Sequence, residues 1–318
     1  YMTLSHRWDH LTDEGAQLTV HNVDSRVEGF SLSSLPPSFR YAAFLTRELG
    51  IRYLWIDSLC ILQDSREDWV RESVQMGQVY SASYCTIATS NAALENYKNH
   101  CQQRNYSSLD VRERSKVRED EDAIWPHWVG LSLLGERRSH LPSNQYHTVL
   151  SGRGWTLQER QLSRRVIHVT SNSLLWECRT SRGSEQVPWT GKVTANMKIA
   201  ARYRINDSIK DGRQIFEKDS PRYFYNLWYE IIWDYSNRLL SEESDKLPGL
   251  AGLAKTLANM TGDEYVAGLW KRDIVSGLLW KTRRWNMDED GPHGAIQHTR
   301  PSCWRAPSWS WASLDGQV

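Results

Sequence analysis

At 318 residues, 40% of them hydrophobic and 24% charged, the chain is long enough to bury one large core or two modest ones without disulfide or metal staples. Its formal net charge of +1 gives no basic surface of the kind that holds nucleic acid or anionic membrane, and no run reaches the roughly 18 to 20 apolar residues of a spanning helix. Five cysteines at irregular spacing, with no CxxC pair, predict reduced thiols in a cytoplasmic compartment and no metal site.

Tyr1 to Arg7 alternates as a strand does. The numbering opens inside it with neither Met nor signal peptide, as expected of a trimmed piece of a longer chain. Pro36-Pro37 opens a helix that Gly50 closes, with Phe39, Ala42, Ala43, Thr46 and Leu49 on one face. Arg52 to Ile56 is a nearly continuous apolar run, which predicts a strand covered on both faces. A helix from Glu67 to Tyr80 and a strand from Tyr84 to Ala88 complete a β-α-β-α-β order, and hence a parallel sheet with helices against it. From 95 to 148 the periodicity is lost, and the mixed charge run at 112–122 reads as a solvated loop. Arg153 to Leu162 predicts a short helix. A hairpin at 165–178 follows, with strands Val166–Thr170 and Leu174–Cys178 joined at Ser171-Asn172-Ser173.

The last third reads as mostly helical. Tyr223 to Leu240 carries Leu227, Ile231, Tyr235 and Leu239 at core spacing, Leu247 to Met260 has Pro248 in its first turn, and Arg305 to Ala312 alternates like a strand. With no Gly/Ser-rich linker, the expected division is 1–180 for the α/β core and 181–318 for a helical extension packed on it.

Three blocks could carry chemistry. Asp57 stands just past an apolar strand, where open α/β sheets place their ligands; Asp64 or Ser65 can cap the next helix, with Glu67 or Asp68 completing a capping box. On that helix Trp69, Ser73, Met76 and Tyr80 form the expected buried stripe, and Glu72 falls about 60° from its centre. A carboxylate so placed is either paired with an arginine or poised in a cleft. In the second block Gly154 permits close backbone approach, Trp155, Gln158 and Glu159 share a face, and Arg153 and Glu159 can form a buried ion pair. In the third, Ser5, His6, Arg7 and Trp8 end the first strand, where Arg7 could hold a phosphate or carboxylate. Cys60 with His6 as base lacks the local signature of a nucleophile. No GxGxxG, GxxxxGK[ST] or GxSxG loop is present.

Tyr1-x-x-Leu-Ser-His-x-Trp8, Tyr53-Leu-Trp-Ile-Asp-Ser-Leu-Cys-Ile61 with Asp68-Trp-x-x-Glu-x-x-x-Met76, and Arg153-Gly-Trp-Thr-Leu-Gln-Glu-Arg160 together resemble the heterokaryon incompatibility (HET) domain of filamentous fungi. Asp9 replaces the family's glycine after the tryptophan. The resemblance implies a TIR-like (flavodoxin-like) parallel sheet flanked by helices, with an added mostly helical C-terminal region. It implies an effector of regulated cell death, which in some TIR domains cleaves NAD at the nicotinamide–ribose bond through a helix glutamate. Trp69-x-x-Glu72 is similar to that arrangement and makes Glu72 the implied catalytic residue. Ser5, Arg7, Trp8, Asp57, Cys60, Asp64, Trp69, Arg153, Trp155, Gln158 and Glu159 are then the expected substrate contacts, with the tryptophans stacking on a ring and the arginines meeting the pyrophosphate. NAD would be substrate, with no tightly bound cofactor. A homo-oligomer through the core and a protein partner in death signalling are implied, with no nucleic acid and no membrane span. The competing classes are a non-catalytic death-signalling module and a HET-like enzyme recruited to small-molecule biosynthesis. A pocket gathering Glu72, Asp57 and Glu159 would favour an enzyme; dispersal of these groups would favour the module.

Overall fold

The computed structural model describes residues 1–7, 16–103, 149–179, 182–185, 221–282 and 299–318. Trp8 and the charge run at 112–122 lie outside the described residues. Strands β1 (Met2–His6), β2 (Leu54–Ile56), β3 (Thr86–Thr89), β4 (Arg165–Val169), β5 (Leu174–Cys178) and β6 (Arg182–Ser184) form one sheet in the order β2-β1-β3-β4-β5-β6. β1 runs parallel to β2 and β3, and β3 parallel to β4. β5 and β6 are antiparallel additions. The predicted α/β class and the hairpin are therefore present, on a sheet that is parallel in its first four strands and mixed beyond them. β6 had no counterpart in the sequence reading.

Alternation along the strands divides the two faces. Met2, Leu4, Ile87 and Val169 join Phe39 and Ala42 of α2 (Pro37–Glu48) and Leu94 and Tyr97 of α6 (Asn91–Gln103) in one apolar cluster. On the opposite face Thr3 and Thr86 hydrogen-bond at 2.7 Å, and Thr86 bonds Ser163 at 2.5 Å. That hydroxyl-rich face lies under α7 (Gly154–Leu162). The chain passes from β1 outward to β2 and returns to β3 on the other side, so the strand order reverses between β1 and β3. In open α/β sheets the crevice beyond such a reversal, at the carboxyl ends of the strands, is where ligands bind.

Several elements differ from expectation for physical reasons. β2 is an edge strand, so Tyr53 beside it is 66% exposed and the expected double cover is absent. In α2 Tyr41 is buried and Leu49, already at the helix end, is exposed. α6 was missed because Leu94 and Tyr97 are the buried anchors of an otherwise polar helix. The helix expected over 67–80 is two helices, α4 (Arg66–Ser73) and α5 (Met76–Ala82), with α1 (Val23–Glu28) and α3 (Asp57–Cys60) preceding them. The break at Val74-Gln75 turns Met76, Gly77 and Tyr80 inward.

In the C-terminal part, α8 (Pro221–Ser236) ends before Leu239, which is 78% exposed instead of core; its backbone bonds Gly152 and Gly154 instead. α9 (Pro248–Thr261), the hairpin of β7 (Tyr265–Val266) and β8 (Leu269–Trp270), and α10 (Ile274–Gly277) follow. The strand expected at Arg305–Ala312 is instead a coil ending in the 3₁₀ turn Trp311–Ser313, which the Ser310 hydroxyl caps. One apolar cluster spans both halves, from Met76, Tyr80 and Trp155 to Trp228, Leu253, Trp270 and Trp311. Among the described residues no helix is long and apolar enough to cross a membrane.

The join depends on two glycines. A Cβ on Gly252 of α9 would stand 2.7 Å from the Gly77 Cα and 2.9 Å from the Gln158 side-chain Oε1, and one on Gly77 would stand 2.8 Å from the Gly252 Cα. Helix propensity alone would make Gly252→Ala stabilising by about 1 kcal/mol. Backbone-to-backbone crowding is expected to reverse the sign, at a net loss of about 1–3 kcal/mol. Urea unfolding decides it: a stabilised Gly252→Ala protein would show that the helices can separate freely.

Candidate functional site

The carboxyl ends of β1 and β2 carry a contiguous buried polar cluster. The His6 Nε2 lies 2.9 Å from Asp57 Oδ1, and the Ser58 amide donates to the same oxygen at 2.8 Å. Arg153, at the start of α7, donates from Nη1 to the His6 carbonyl at 2.6 Å. Burial would raise the Asp57 carboxyl, but attraction and hydrogen bonding to His6, the Ser58 amide and the Arg153 charge outweigh it and hold Asp57 below the usual carboxylate range.

Glu159, about one and a half turns along α7 and 5% exposed, shows the opposite balance. Burial first, then the Asp57 charge, pushes its carboxyl up to about 7, against hydrogen bonding to Ser5 and attraction to Arg153 and His6. Its Oε2 has no hydrogen-bond partner among the described residues. Tyr80, fully buried, donates to the Leu4 carbonyl at 3.3 Å, and its hydroxyl is pushed well up by burial and by Glu159 and Asp57. Arg153 acts on Glu159 only through space, so the expected ion pair between them is not formed.

A second charged group stands beside the first. Glu177 of β5, 0% exposed, accepts from Arg160 of α7 at 2.8 and 3.1 Å and lies 3.1 Å from the His168 Nε2 of β4. Arg160 leads the forces that overcome burial and hold Glu177 far below the carboxylate range. Sequence reading passed over this triad, although a glutamate inside the apolar strand Leu-Leu-Trp-Glu-Cys and a histidine inside Val-Ile-His-Val were visible signals.

The remaining expected contacts are distributed elsewhere. Glu72 of α4 has a 25% exposed side chain 3.2 Å from Arg71, which is the helix-edge pairing. It is not among the charges acting on Glu159, although it and Asp57 both act on Cys60. Burial, ahead of those two charges, pushes the Cys60 thiol up, the reverse of an activated thiolate. Asp64 accepts the Val20 amide at 3.0 and 3.1 Å, and Ser65 caps α4 by accepting from the Asp68 amide. Trp69 packs edge-on against Trp155, whose Nε1 donates to Asp245 at 2.8 Å. Gln158 accepts from the Gly252 and Leu253 amides at 2.7 and 3.2 Å. The second block thus splits between two faces: Trp155 and Gln158 grip the C-terminal part, and Glu159 turns into the sheet. Arg7 is exposed just past β1.

An apolar cavity of about 350 Å³ lies on the other side of α3, lined among others by Leu18, Phe30, Ile56, Leu59 and Cys60. Its one charged lining residue, Arg26, stacks on Phe30 at 4.8 Å. A smaller crevice under α7 is lined by Ser5, Thr156, Arg160, His168 and Arg238 among others; Asp57 and Glu159 lie outside its lining. Among the described residues no group of three His, Cys, Asp or Glu side chains is placed to hold a metal ion.

Comparison with curated proteins and with solved structures found no match. The family model described as heterokaryon incompatibility protein (HET) matches residues 1–159, a span that begins with β1 and ends at Glu159, so it contains Ser5, His6, Asp57, Tyr80, Arg153 and Glu159. The chain belongs to the heterokaryon incompatibility (HET) family.

Proposed function

We propose that this protein is a heterokaryon-incompatibility effector of regulated cell death that cleaves the nicotinamide–ribose bond of an NAD-class nucleotide, acting as a homo-oligomer assembled through its α/β core. One arrangement carries the reading: two buried carboxyl groups share one cluster, Asp57 held by His6 at 2.9 Å and by the Ser58 amide, Glu159 with its Oε2 unpartnered among the described residues. These surroundings favour the charged form of the first and the neutral form of the second. Paired groups with separated pKa values mark acid–base assignments. As the C1′–N bond breaks, its electron pair leaves with neutral nicotinamide and the ribose becomes an oxocarbenium. Ionised Asp57 stabilises that cation, and Glu159, near 7, accepts the proton of the attacking water. The products are nicotinamide, ADP-ribose and a proton. Glu72 stands in this reading as an outer carboxylate that orients ribose hydroxyls.

A non-catalytic signalling module that recruits a protein partner is the second reading. It is favoured by the engagement of Asp64, Trp155 and Gln158 in packing and capping bonds.

Mass spectrometry of concentrated, assembled protein incubated with NAD separates the two. Nicotinamide release that falls about 100-fold in Glu159→Gln and in Asp57→Asn is expected. No release from assembled wild type, or rates in both variants equal to that of wild type, leaves the module standing. Glu72→Gln measured alongside decides whether the outer carboxylate takes part.

Stability gives a second check on Glu159. A folded-state value raised to about 7 means stability is full below the unfolded carboxyl value and is lost as pH rises through about 7. Glutamine mimics the protonated form, so Glu159→Gln should match wild type near pH 4, below the unfolded carboxyl value, and exceed it near pH 8 in thermal unfolding. Equal melting temperatures at both pH values would show that the carboxyl is not shifted.

A further inference from the structure

We infer that the notch between β1, β3 and β4 under α7 is a phosphoryl subsite, seating one phosphate of the nucleotide that the proposed function places beside it. The inference rests on that reading for its nucleotide, and on the following geometry for its location.

Ser5, Ala88 and His168 lie in one row across three neighbouring parallel strands, Ser5 paired with Ala88 and Ala88 with His168. All three point to the α7 face of the sheet by the strand alternation. The middle residue is an alanine, so two polar side chains flank a gap. Thr156 and Arg160, one turn apart on α7, roof the gap, and Ser151 and Arg238 close its side. The row is at the carboxyl ends of β1 and β3, where the strand order reverses.

Every charged or polar side chain in this lining is a hydroxyl, a guanidinium or an imidazole, and no carboxylate lines it. Arg238, 9% exposed, is fixed by Asp234 at 3.0 Å and donates at 3.2 Å to the Arg153 carbonyl and to the Thr156 hydroxyl. Arg160 and His168 are fixed by Glu177 behind them. Glu177 and Asp234 offset the two arginines, so the notch offers oriented donors more than net charge. Planar, preset guanidinium donors match phosphoryl oxygens in geometry. The enclosed volume is about 20 Å³, room for one water-sized group; a single phosphoryl oxygen fills it and the rest of the group stands in the mouth. Because Ser5 also bonds Glu159, a phosphate here sets the adjoining sugar toward Glu159 and Asp57.

Pyrophosphate and inorganic phosphate are the probes, followed by ³¹P NMR and calorimetry on the full chain. Saturable binding is expected, weakened at least tenfold by Ala88→Val, which fills the notch with a residue suited to a strand, and by Ser151→Asp, which adds a negative charge at its side. Circular dichroism confirms that each variant is folded, and Ser151→Asp keeps the test decisive should Ala88→Val unfold. No saturable binding by wild type, meaning a notch that holds water only, overturns the inference, as does undiminished binding in the folded variants. Phosphate binding without nicotinamide release upholds the subsite and removes the proposed reaction. Nicotinamide release whose KM is unchanged in the folded variants keeps the reaction and removes the subsite.

Discussion

Arg160→Met should lower stability by about 3–5 kcal/mol at neutral pH, because it leaves a buried carboxylate without its main partner. Glu177 is 0% exposed and its two oxygens accept from one guanidinium at 2.8 and 3.1 Å. His168, 3.1 Å from Oε2, retains part of the compensation, which places the loss toward the lower end. The pH dependence distinguishes this cause from simple loss of packing. In wild type the depressed Glu177 carboxyl contributes stability above the unfolded carboxyl value, and the contribution is lost as pH falls through the folded one. In the variant burial acts without Arg160, the carboxyl rises, and the penalty is present at neutral pH but absent once acid protonates the group. The deficit should therefore shrink from pH 7 to pH 4 in urea unfolding. Adding Glu177→Gln to Arg160→Met should recover most of it, since removing both charges of a buried pair costs far less than removing one. A loss below about 1 kcal/mol at pH 7, or a deficit that grows in acid, would overturn this account.

The strand and helix succession of the α/β half was legible because its signals are local. Proline opens α2, alternation marks β1, an apolar run marks β2, and a Thr-Ser-Asn-Ser turn joins β4 to β5. Asp57 was legible as a strand-end carboxylate for the same reason. Glu159 was harder. Gly154 to Glu159 are all buried, so α7 has no solvent face against which a one-dimensional pattern can be oriented. Gln158 and Glu159 are about 100° apart, enough to send one to α9 and the other to the sheet. Glu72 was placed by projecting one helix from Glu67 to Tyr80, and the break at Val74-Gln75 removes the shared face on which that projection depended. The Glu177 triad and Arg238 depend on contacts between β5, β4, α7 and the end of α8, and no sequence spacing encodes those distances. The paired positive φ at Ala267 and Gly268 was equally hidden, because alanine is an unusual residue for such a turn.

Trp228→Ala should cost about 3–5 kcal/mol, the range for a fully buried large aromatic. Trp228 is 0% exposed and meets Trp270 and Tyr265 edge-on, with ring centres 5.4 and 5.6 Å apart. Its indole nitrogen adds a second link by donating to the Gly268 carbonyl at 2.9 Å, and Trp311 donates to the same oxygen at 3.0 Å. One carbonyl with two lone pairs thus accepts from two tryptophans that are distant in sequence. The carbonyl is aimed by the two-residue turn Ala267-Gly268, where φ is 44° and 96°, both positive as the tightest hairpins between twisted strands require. Ser310 secures the turn from the other side by donating to the Ala267 carbonyl at 2.6 Å. α8, the β7–β8 hairpin and the C-terminal 3₁₀ turn therefore meet at one peptide. Trp228→Phe keeps an aromatic ring but loses the donor, so its cost should be smaller than that of alanine, about 1–2 kcal/mol from the lost hydrogen bond and imperfect fill. The same cluster holds Trp155 of α7, so near-ultraviolet circular dichroism should report loosening in Trp228→Ala before the far-ultraviolet helix signal changes. If the alanine and phenylalanine proteins unfold at the same urea concentration, the ring contributes little and the donor to Gly268 is what holds the three segments together.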